Sequence, residues 1–236
     1  MNIKVVGVTA CLAAGLVLGS ASFSPANAYG VTADGAITLN ARDRGRKLDA
    51  MHWLVPAGTG TLPQDLSATA VVTVLDFQAN FLDLQFNLKN TTANTFKASI
   101  LGLGLGIDPD ATSVSISNGA TFDSATLLDK TFPGGFKGID ICAFAANNCQ
   151  GGKVDDGLLN GESDIFTLRI GNSNGSFANG VTLTSYPIKF QTAYDSYQAA
   201  GVPEPITIVG SGLALGFGAL LKREASKKTR KTKAKV

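Results

Sequence analysis

The sequence predicts an all-β protein: an antiparallel β-sandwich of about eight strands, with an N-terminal signal peptide before it and one C-terminal transmembrane helix after it. Several segments between residues 29 and 200 alternate apolar and polar side chains with a period of two, as half-buried strands do. The 27 glycines and the 16% of charged residues favour turn-rich β structure over a helical bundle. Clusters of Asn, Gly, Asp and Ser separate these segments, as turns separate antiparallel strands.

Five segments are predicted as strands. In the clearest of them, polar residues separate four apolar ones, so one face of the strand is expected to be buried and the other exposed to solvent. The apolar positions of the five are Leu82, Leu84, Phe86 and Leu88; residues 71–75; Val114 and Ile116; Phe166, Leu168 and Ile170; and Tyr186, Ile188 and Phe190. Residues 191–201 are interpreted as a stalk that joins the exported body, residues 29–200, to the C-terminal segment, residues 201–236.

Residues 101–106 alternate leucine and glycine. In a strand this places three leucines on one face and three glycines on the other. The bare glycine face is expected to contact an aromatic side chain or another backbone closely. The segment is not the dinucleotide fingerprint Gly-x-Gly-x-x-Gly, because Ile107 occupies the last glycine position.

The N-terminus predicts export. Lys4 precedes an apolar run over residues 5–18, and small residues then lead to Ala-Asn-Ala at residues 26–28. This is the pattern of a secretory signal peptide, residues 1–28, cleaved between Ala28 and Tyr29. The alternative, a first transmembrane helix, needs about 20 apolar residues and a stop-transfer flank.

The C-terminus combines three features. Val-Pro-Glu-Pro at residues 202–205 precedes an apolar run over residues 206–221 and a tail, residues 222–236, with eight basic side chains and one acidic. At 1.5 Å per residue the run spans about 24 Å, enough to cross a membrane with some thinning or lysine snorkelling. Basic residues stay cytoplasmic, which leaves the body outside. A buried core helix with a solvated tail is the alternative.

These C-terminal residues carry a resemblance. The motif Val202, Pro203, Glu204 and Pro205, the glycine-rich apolar run and the basic cluster beginning at Lys222-Arg223 resemble the PEP-CTERM sorting signal in its cyanobacterial version. The resemblance covers residues 202–236. It implies that the chain is a substrate of an exosortase, a membrane-embedded cysteine protease thought to cut near the motif. Many proteins with this signal belong to bacteria that make extracellular polysaccharide.

The residue types of the motif also suit recognition and cleavage by a protease. Proline fixes φ and disfavours helix in the residue before it, so residues 202–205 are expected to be extended and accessible to a protease. Glu204 offers an anion to a cationic receptor. We therefore interpret these four residues as the sorting and processing signal.

Cys142 and Cys149 are the only cysteines left after removal of the signal peptide. They are expected to form a disulfide, because an exported protein lies in an oxidising compartment. A redox-active pair is disfavoured by the absence of Cys-x-x-Cys spacing. With Asn148 and the glycines at residues 151–152, they also resemble the cistern subgroup of sorted proteins.

Two loops are rich in carboxylates, which are ligands that calcium accepts. The first holds Asp155, Asp156, Glu162 and Asp164, and the second holds Asp108 and Asp110. The spacing matches neither an EF-hand nor a nonapeptide repeat. Asp, Asn and Gly also form turns, so we interpret these residues as solvated turn carboxylates and keep the first four as weak calcium candidates.

No catalytic residue is predicted. Residues 171–175 match Gly-x-Ser-x-Gly, but a nucleophile elbow opens a helix and needs a later histidine, whereas the single histidine, His52, lies upstream. Paired carboxylates of a glycosidase are not singled out among eighteen acids. His52 and Trp53 are interpreted as a packed aromatic turn.

The net charge of +2 comes from the basic tail, since residues 29–221 hold eleven basic and seventeen acidic groups. This excludes a nucleic-acid binder that is basic throughout. The sequence therefore predicts an exported, non-catalytic surface or extracellular-matrix protein without a cofactor. Its expected partners are an exosortase, the cytoplasmic membrane before processing and extracellular polysaccharide. The alternatives are a carbohydrate- or calcium-binding module, with exposed Tyr194, Tyr197 or Trp53 as contacts, and an enzyme.

Overall fold

The computed structural model describes residues 30–31 and 35–203. The predicted signal peptide, its Ala28–Tyr29 cleavage site, Glu204, Pro205, the apolar run and the basic tail lie outside these residues. The described part forms these strands: β1 (Gly30–Val31), β2 (Ile37–Leu39), β3 (Met51–Val55), β4 (Leu66–Phe77), β5 (Phe81–Asn90), β6 (Ala98–Asp108), β7 (Ser113–Ser117), β8 (Ser124–Phe132), β9 (Phe136–Phe144), β10 (Leu158–Leu159), β11 (Ser163–Gly171), β12 (Val181–Ser185), β13 (Pro187–Thr192), β14 (Ser196–Ala200) and β15 (Val202–Pro203). Its 3-10 helices are Ala41–Asp43, Asn147–Cys149, Val154–Asp156 and Ser176–Asn179.

The strands form two antiparallel sheets, which confirms the all-β prediction. Six strands form one sheet in the order β15-β3-β4-β5-β11-β7. In the nine-stranded sheet the order is β1-β2-β12-β6-β13-β14; β9 and β10 also pair with β6, and β8 pairs with β9. The predicted number of strands, about eight, is too low for the described residues. Strands of two or three residues, such as β1, β2, β10 and β15, are too short to show an alternating pattern.

Each predicted period-two segment contains a strand, although Tyr186 lies just before β13 rather than in it. In β5 the four alternating apolar side chains are buried, and the strand lies between β4 and β11 in the middle of its sheet. Phe86 lies opposite Phe166 of β11, and their rings stack with centroids 5.3 Å apart. Each such side chain contributes roughly 1.5–3 kcal/mol when it is fully buried. The core of the sandwich forms where these inner faces meet.

Residues 191–201 are not a stalk, which corrects the sequence interpretation. Gln191 still belongs to β13, and β14 pairs with β13 along its whole length. Tyr197 and Ala199 of β14 are buried in the main core. The apolar residues 197 and 199 alternate with polar neighbours, so the signal was present but short. The fold therefore continues without a linker to Pro203.

The central strand β6 is buried on both faces. Its glycines contact residues of the β8–β9 hairpin and of the loop that holds Cys149, which together form a second layer over this face. A Cβ atom at Gly104 would lie 2.7 Å from Pro187 Cγ and 2.9 Å from Phe132 Cδ2, and one at Gly106 would overlap the carbonyl oxygen of Gly138. The expected aromatic cover and close backbone contact on the glycine face are both confirmed.

The prediction that three leucines of β6 share a face is wrong for one of them. Leu103 and Leu105 belong to the core between the sheets, whereas Leu101 does not. The register between β6 and β13 shifts between Lys189 and Phe190. A bulge of this kind reverses the facing of the residues beyond it. Leu101 consequently packs near the loop that holds residues 152–157.

Gly104→Ala is predicted to lower the free energy of unfolding by about 1–3 kcal/mol, because the added methyl overpacks a filled site. Gly102→Ala is the matched control, since its Cβ would meet the sulfurs of Cys149 and Cys142 at 3.4 and 3.6 Å, ordinary contact distances. Urea unfolding of the two variants measures the difference. Equal stabilities would contradict the close packing of Gly104 against Pro187 and Phe132.

Candidate functional site

The body ends where the predicted sorting motif begins. In β15, Val202 lies opposite His52 and Pro203 opposite Met51 of β3. Proline is tolerated here because β15 is an edge strand. Pro203 is buried while Val202 is 59% exposed. The backbone at these two residues is extended, as expected, but Pro203 is not accessible.

One carbonyl oxygen ties this end of the chain to both sheets. Trp53 of β3 donates its indole N–H to Tyr186 O at 2.6 Å. The backbone N–H of Gly201 donates to the same oxygen at 2.8 Å. A carbonyl has two lone pairs and accepts both bonds. We call this arrangement of the Trp53 indole, the Tyr186 carbonyl and the Gly201 amide the terminal latch.

Glycine is required at position 201 by this packing. A Cβ atom there would lie 2.6 Å from Trp53 Nε1 and 2.7 Å from Tyr186 O. No side chain fits without displacing either the indole or the strand that follows. On the other side, a Cβ atom at Gly35 would be only 3.4 Å from Pro203 Cδ. The last residues of the body are thus packed between β3 and the segment before β2.

The Cys142–Cys149 disulfide is present, as the sequence predicted. The two Cα atoms are 6.4 Å apart, and both residues are buried. The sulfurs lie near Gly102 on the glycine side of β6, in a small cluster with Phe132 and Ile139. The bond joins β9 to the loop that covers this side. It therefore holds the second layer and leaves the core between the sheets to hydrophobic packing.

Asp164 is one of the four calcium candidates, and it is buried. Its carboxylate accepts backbone N–H bonds from Ala120 at 3.0 Å, Thr121 at 2.9 Å and Phe122 at 2.7 Å. It thereby holds the turn between β7 and β8. The interpretation of Asp164 as a solvated turn carboxylate is wrong, because a tertiary contact that spans more than 40 residues of sequence buries it.

The other three candidates each have a separate partner. Asp155 pairs with Lys97, Asp156 accepts the N–H of Lys153 at 2.8 Å, and Glu162 accepts the N–H of Leu159 at 2.9 Å. In the part of the chain that the structure describes, no three His, Cys, Asp or Glu side chains are grouped so that they could hold a metal ion. Asp108, at the end of β6, and Asp110 lie in the separate β6–β7 loop. The structure does not bring the four candidates together.

The Gly-x-Ser-x-Gly segment forms a turn after β11. The Asn172 side chain is buried, donates to Asp110 O at 2.9 Å and accepts the N–H of Asn174 at 3.0 Å. The chain then enters a 3-10 helix of four residues, Ser176–Asn179. His52 lies on β3, three strands away from β11 in the sheet. This geometry differs from that of a nucleophile elbow, which opens a full helix.

Of the three aromatic contact candidates, only Tyr194 is exposed, with 82% of its surface accessible. Trp53 and Tyr197 are buried, so the expectation that they are exposed is wrong. Trp53 belongs to the latch. Tyr197 packs in the core, and its hydroxyl lies 3.3 Å from Thr61 Oγ1.

An open cleft of about 270 Å³ is lined in part by Phe96, the residue that contacts Tyr194. The ring of Tyr194 stacks with Phe96, with centroids 6.4 Å apart and planes 20° apart. We call this feature the aromatic cleft; the residues that line it are Asn94, Phe96, Lys97, Leu159 and Asn160.

Hydrogen bonds hold Asn160 of the aromatic cleft and the loop that carries Tyr194. Thr192 Oγ1 accepts the backbone N–H groups of Tyr194 and Asp195 at 3.2 and 2.9 Å. Asn160 donates to the carbonyls of Ala93 and Phe96, each at 2.8 Å. The arrangement is therefore preformed, which lowers the entropic cost of binding a ligand.

Two charged groups were not anticipated from the sequence. Arg169 binds Asp83 through two bonds of 2.8 and 2.6 Å, and this bonding raises the pKa of the guanidinium. Lys189 is buried and donates to Gln150 O at 2.7 Å, and desolvation lowers its pKa. In β13, Lys189 alternates with Ile188 and Phe190 and therefore lies on the face of the sheet opposite theirs. The second layer covers that face and buries Lys189.

Comparison with known proteins gave no match: no family model, no curated protein and no solved structure resembles this chain significantly. Within residues 30–31 and 35–203, none of the helices has the length and apolar character needed to span a membrane.

Asp164→Asn is predicted to lower the free energy of unfolding by about 2–3 kcal/mol, because buried backbone donors lose a charged acceptor. Asp156→Asn is the control. Its carboxylate accepts one N–H at an exposed site, and the expected loss is below about 1 kcal/mol. Thermal or urea unfolding measures the loss of stability in each variant. A loss no larger for Asp164→Asn than for Asp156→Asn would contradict the assigned role of this carboxylate.

Proposed function

We propose that this chain is an exported, non-catalytic protein of the cell surface or extracellular matrix, sorted and processed by an exosortase at its C-terminal Pro-Glu-Pro signal. One observation carries the proposal. The described part of the fold includes Val202 and Pro203 as strand β15, and in the sequence Glu204, Pro205, an apolar run and a basic tail follow directly. The predicted signal therefore begins within a strand of the sheet.

The proposed route has two membrane steps. The signal peptide, residues 1–28, directs export, and the apolar run over residues 206–221 holds the precursor in the cytoplasmic membrane with its basic tail inside. Cleavage near residues 203–205 then moves the body to the cell surface or the surrounding matrix. The buried Cys142–Cys149 disulfide suits this oxidising location. The proposed partners are the exosortase and extracellular polysaccharide, with no nucleic acid and no cofactor.

Glu204→Ala is predicted to leave the precursor uncut in the native host, because the processing enzyme loses the anion between the two prolines. Asp129→Ala is the matched control, since Asp129 is an exposed carboxylate in β8, remote in sequence from the signal. Immunoblots of membrane and released fractions report the processed form. Normal processing of Glu204→Ala would contradict the proposal.

The aromatic cleft favours a second candidate function, carbohydrate binding by the body. Tyr194 presents an exposed ring that Phe96 supports from one side. The apolar C–H face of a sugar packs on such a ring, while amides and charged groups such as Asn94 and Lys97 bond the hydroxyls. This candidate is compatible with the first, since a matrix protein that binds polysaccharide needs such a surface.

Tyr194→Ala is predicted to weaken polysaccharide binding at least about tenfold, the equivalent of roughly 1.4 kcal/mol, without lowering the melting temperature. Leu54→Ala removes another exposed apolar side chain, 56% accessible on β3, and is expected to bind like the wild type. The probe is the native host's own extracellular polysaccharide, in a co-sedimentation assay. Equal binding by Tyr194→Ala and the wild type would exclude the aromatic cleft as the binding site.

A further inference from the structure

The terminal latch affects the access of a protease to the predicted signal. This inference rests on the proposed function. Pro203 is packed in the sheet, and the predicted membrane-spanning run begins at residue 206. Three residue steps reach at most about 10 Å even when fully extended. A protease embedded in the membrane that cuts between these points must therefore engage β15 itself.

In the folded body, β15 is not available to such an enzyme. A protease cleft takes its substrate as an extended chain and pairs with its backbone. Here the backbone of Val202 and Pro203 pairs with β3, and the Pro203 side chain is buried beside Gly35. The preceding amide, at Gly201, is bonded to Tyr186 O.

We propose that the terminal latch holds β15 on β3 and that the population of the open latch sets the rate at which the signal is processed. Edge segments with few contacts open without global unfolding. When opening is fast relative to cleavage, proteolysis follows the population of the open form. Trp53, Tyr186 and Gly201 are then positioning residues for cleavage, although two of them lie far from the motif in sequence.

The direct test is a new disulfide that fixes β15 to β3. His52 and Val202 lie opposite each other on the outer face of the sheet, and opposed residues in antiparallel strands have Cα atoms about 4.5–5.5 Å apart, within disulfide range. The double variant His52→Cys with Val202→Cys is expressed in the native host, and its processing is followed by pulse-chase. We expect at least a tenfold slower appearance of the processed form, restored by adding a reductant.

Three controls accompany the locked variant. Each single variant, His52→Cys and Val202→Cys, shows whether the protease tolerates the new side chain, and both are expected to be processed at the normal rate. Wild type treated with reductant shows the effect of opening Cys142–Cys149 alone. Normal processing of the double variant, with its new disulfide verified by mass, would overturn the proposal.

The opposite change weakens the latch. Gly201→Ala places a methyl against the Trp53 indole and the Tyr186 carbonyl, and it is expected to speed both processing and backbone amide hydrogen exchange of residues 197–202 about tenfold. Gly102→Ala, in buried β6, is the control and changes neither. Faster exchange with unchanged processing would contradict the latch. If wild type itself is never cut, or Glu204→Ala is cut normally, it is the proposed function that fails.

Discussion

The burial of β6 on both faces is the constraint on which the rest of the structure depends. Leu103 and Leu105 fill the space between the sheets, and the glycines on the other face let the β8–β9 layer approach. Because Gly104 has no side chain, Pro187 lies directly over it. This contact fixes the start of β13 and with it the Tyr186 carbonyl, the acceptor that both Trp53 and Gly201 use. The glycine face of β6 in the middle of the sandwich is thus linked, through Pro187 and Tyr186, to the position of Gly201 before β15 at the sheet edge.

That dependence links the body to its proposed route. A long flexible stalk would make processing independent of folding, since the motif would be exposed whether or not the body had formed. Here residues 202–203 form a strand of the sheet, so the predicted motif begins inside the folded structure. Pro203 has both roles: its side chain packs beside Gly35, and its sequence position opens the predicted Pro-Glu-Pro signal. Under the proposed route, an unfolded precursor and a folded one consequently differ next to the proposed site of processing.

Long alternating segments were predicted from the sequence because burial of one sheet face imposes a period of two, and β5 and β11 show it directly. The expected cover over the glycines of β6 followed from the same reasoning. Strands of two or three residues were missed because they are too short to show alternation, and β8, β9 and β14 were also missed. The roles of Asp164 and Lys189 depend on residues distant in sequence, so no local pattern reveals them. Trp53 was expected at the surface for a similar reason, since its acceptor lies 133 residues away.

Mass spectrometry of the mature protein from its native host tests the central claim most directly, because it reports both termini and the cysteine bond together. The account predicts a polypeptide that begins at Tyr29, ends near residues 203–205, lacks the basic tail and contains the Cys142–Cys149 disulfide. An intact chain of 236 residues, with neither terminus removed, would contradict it.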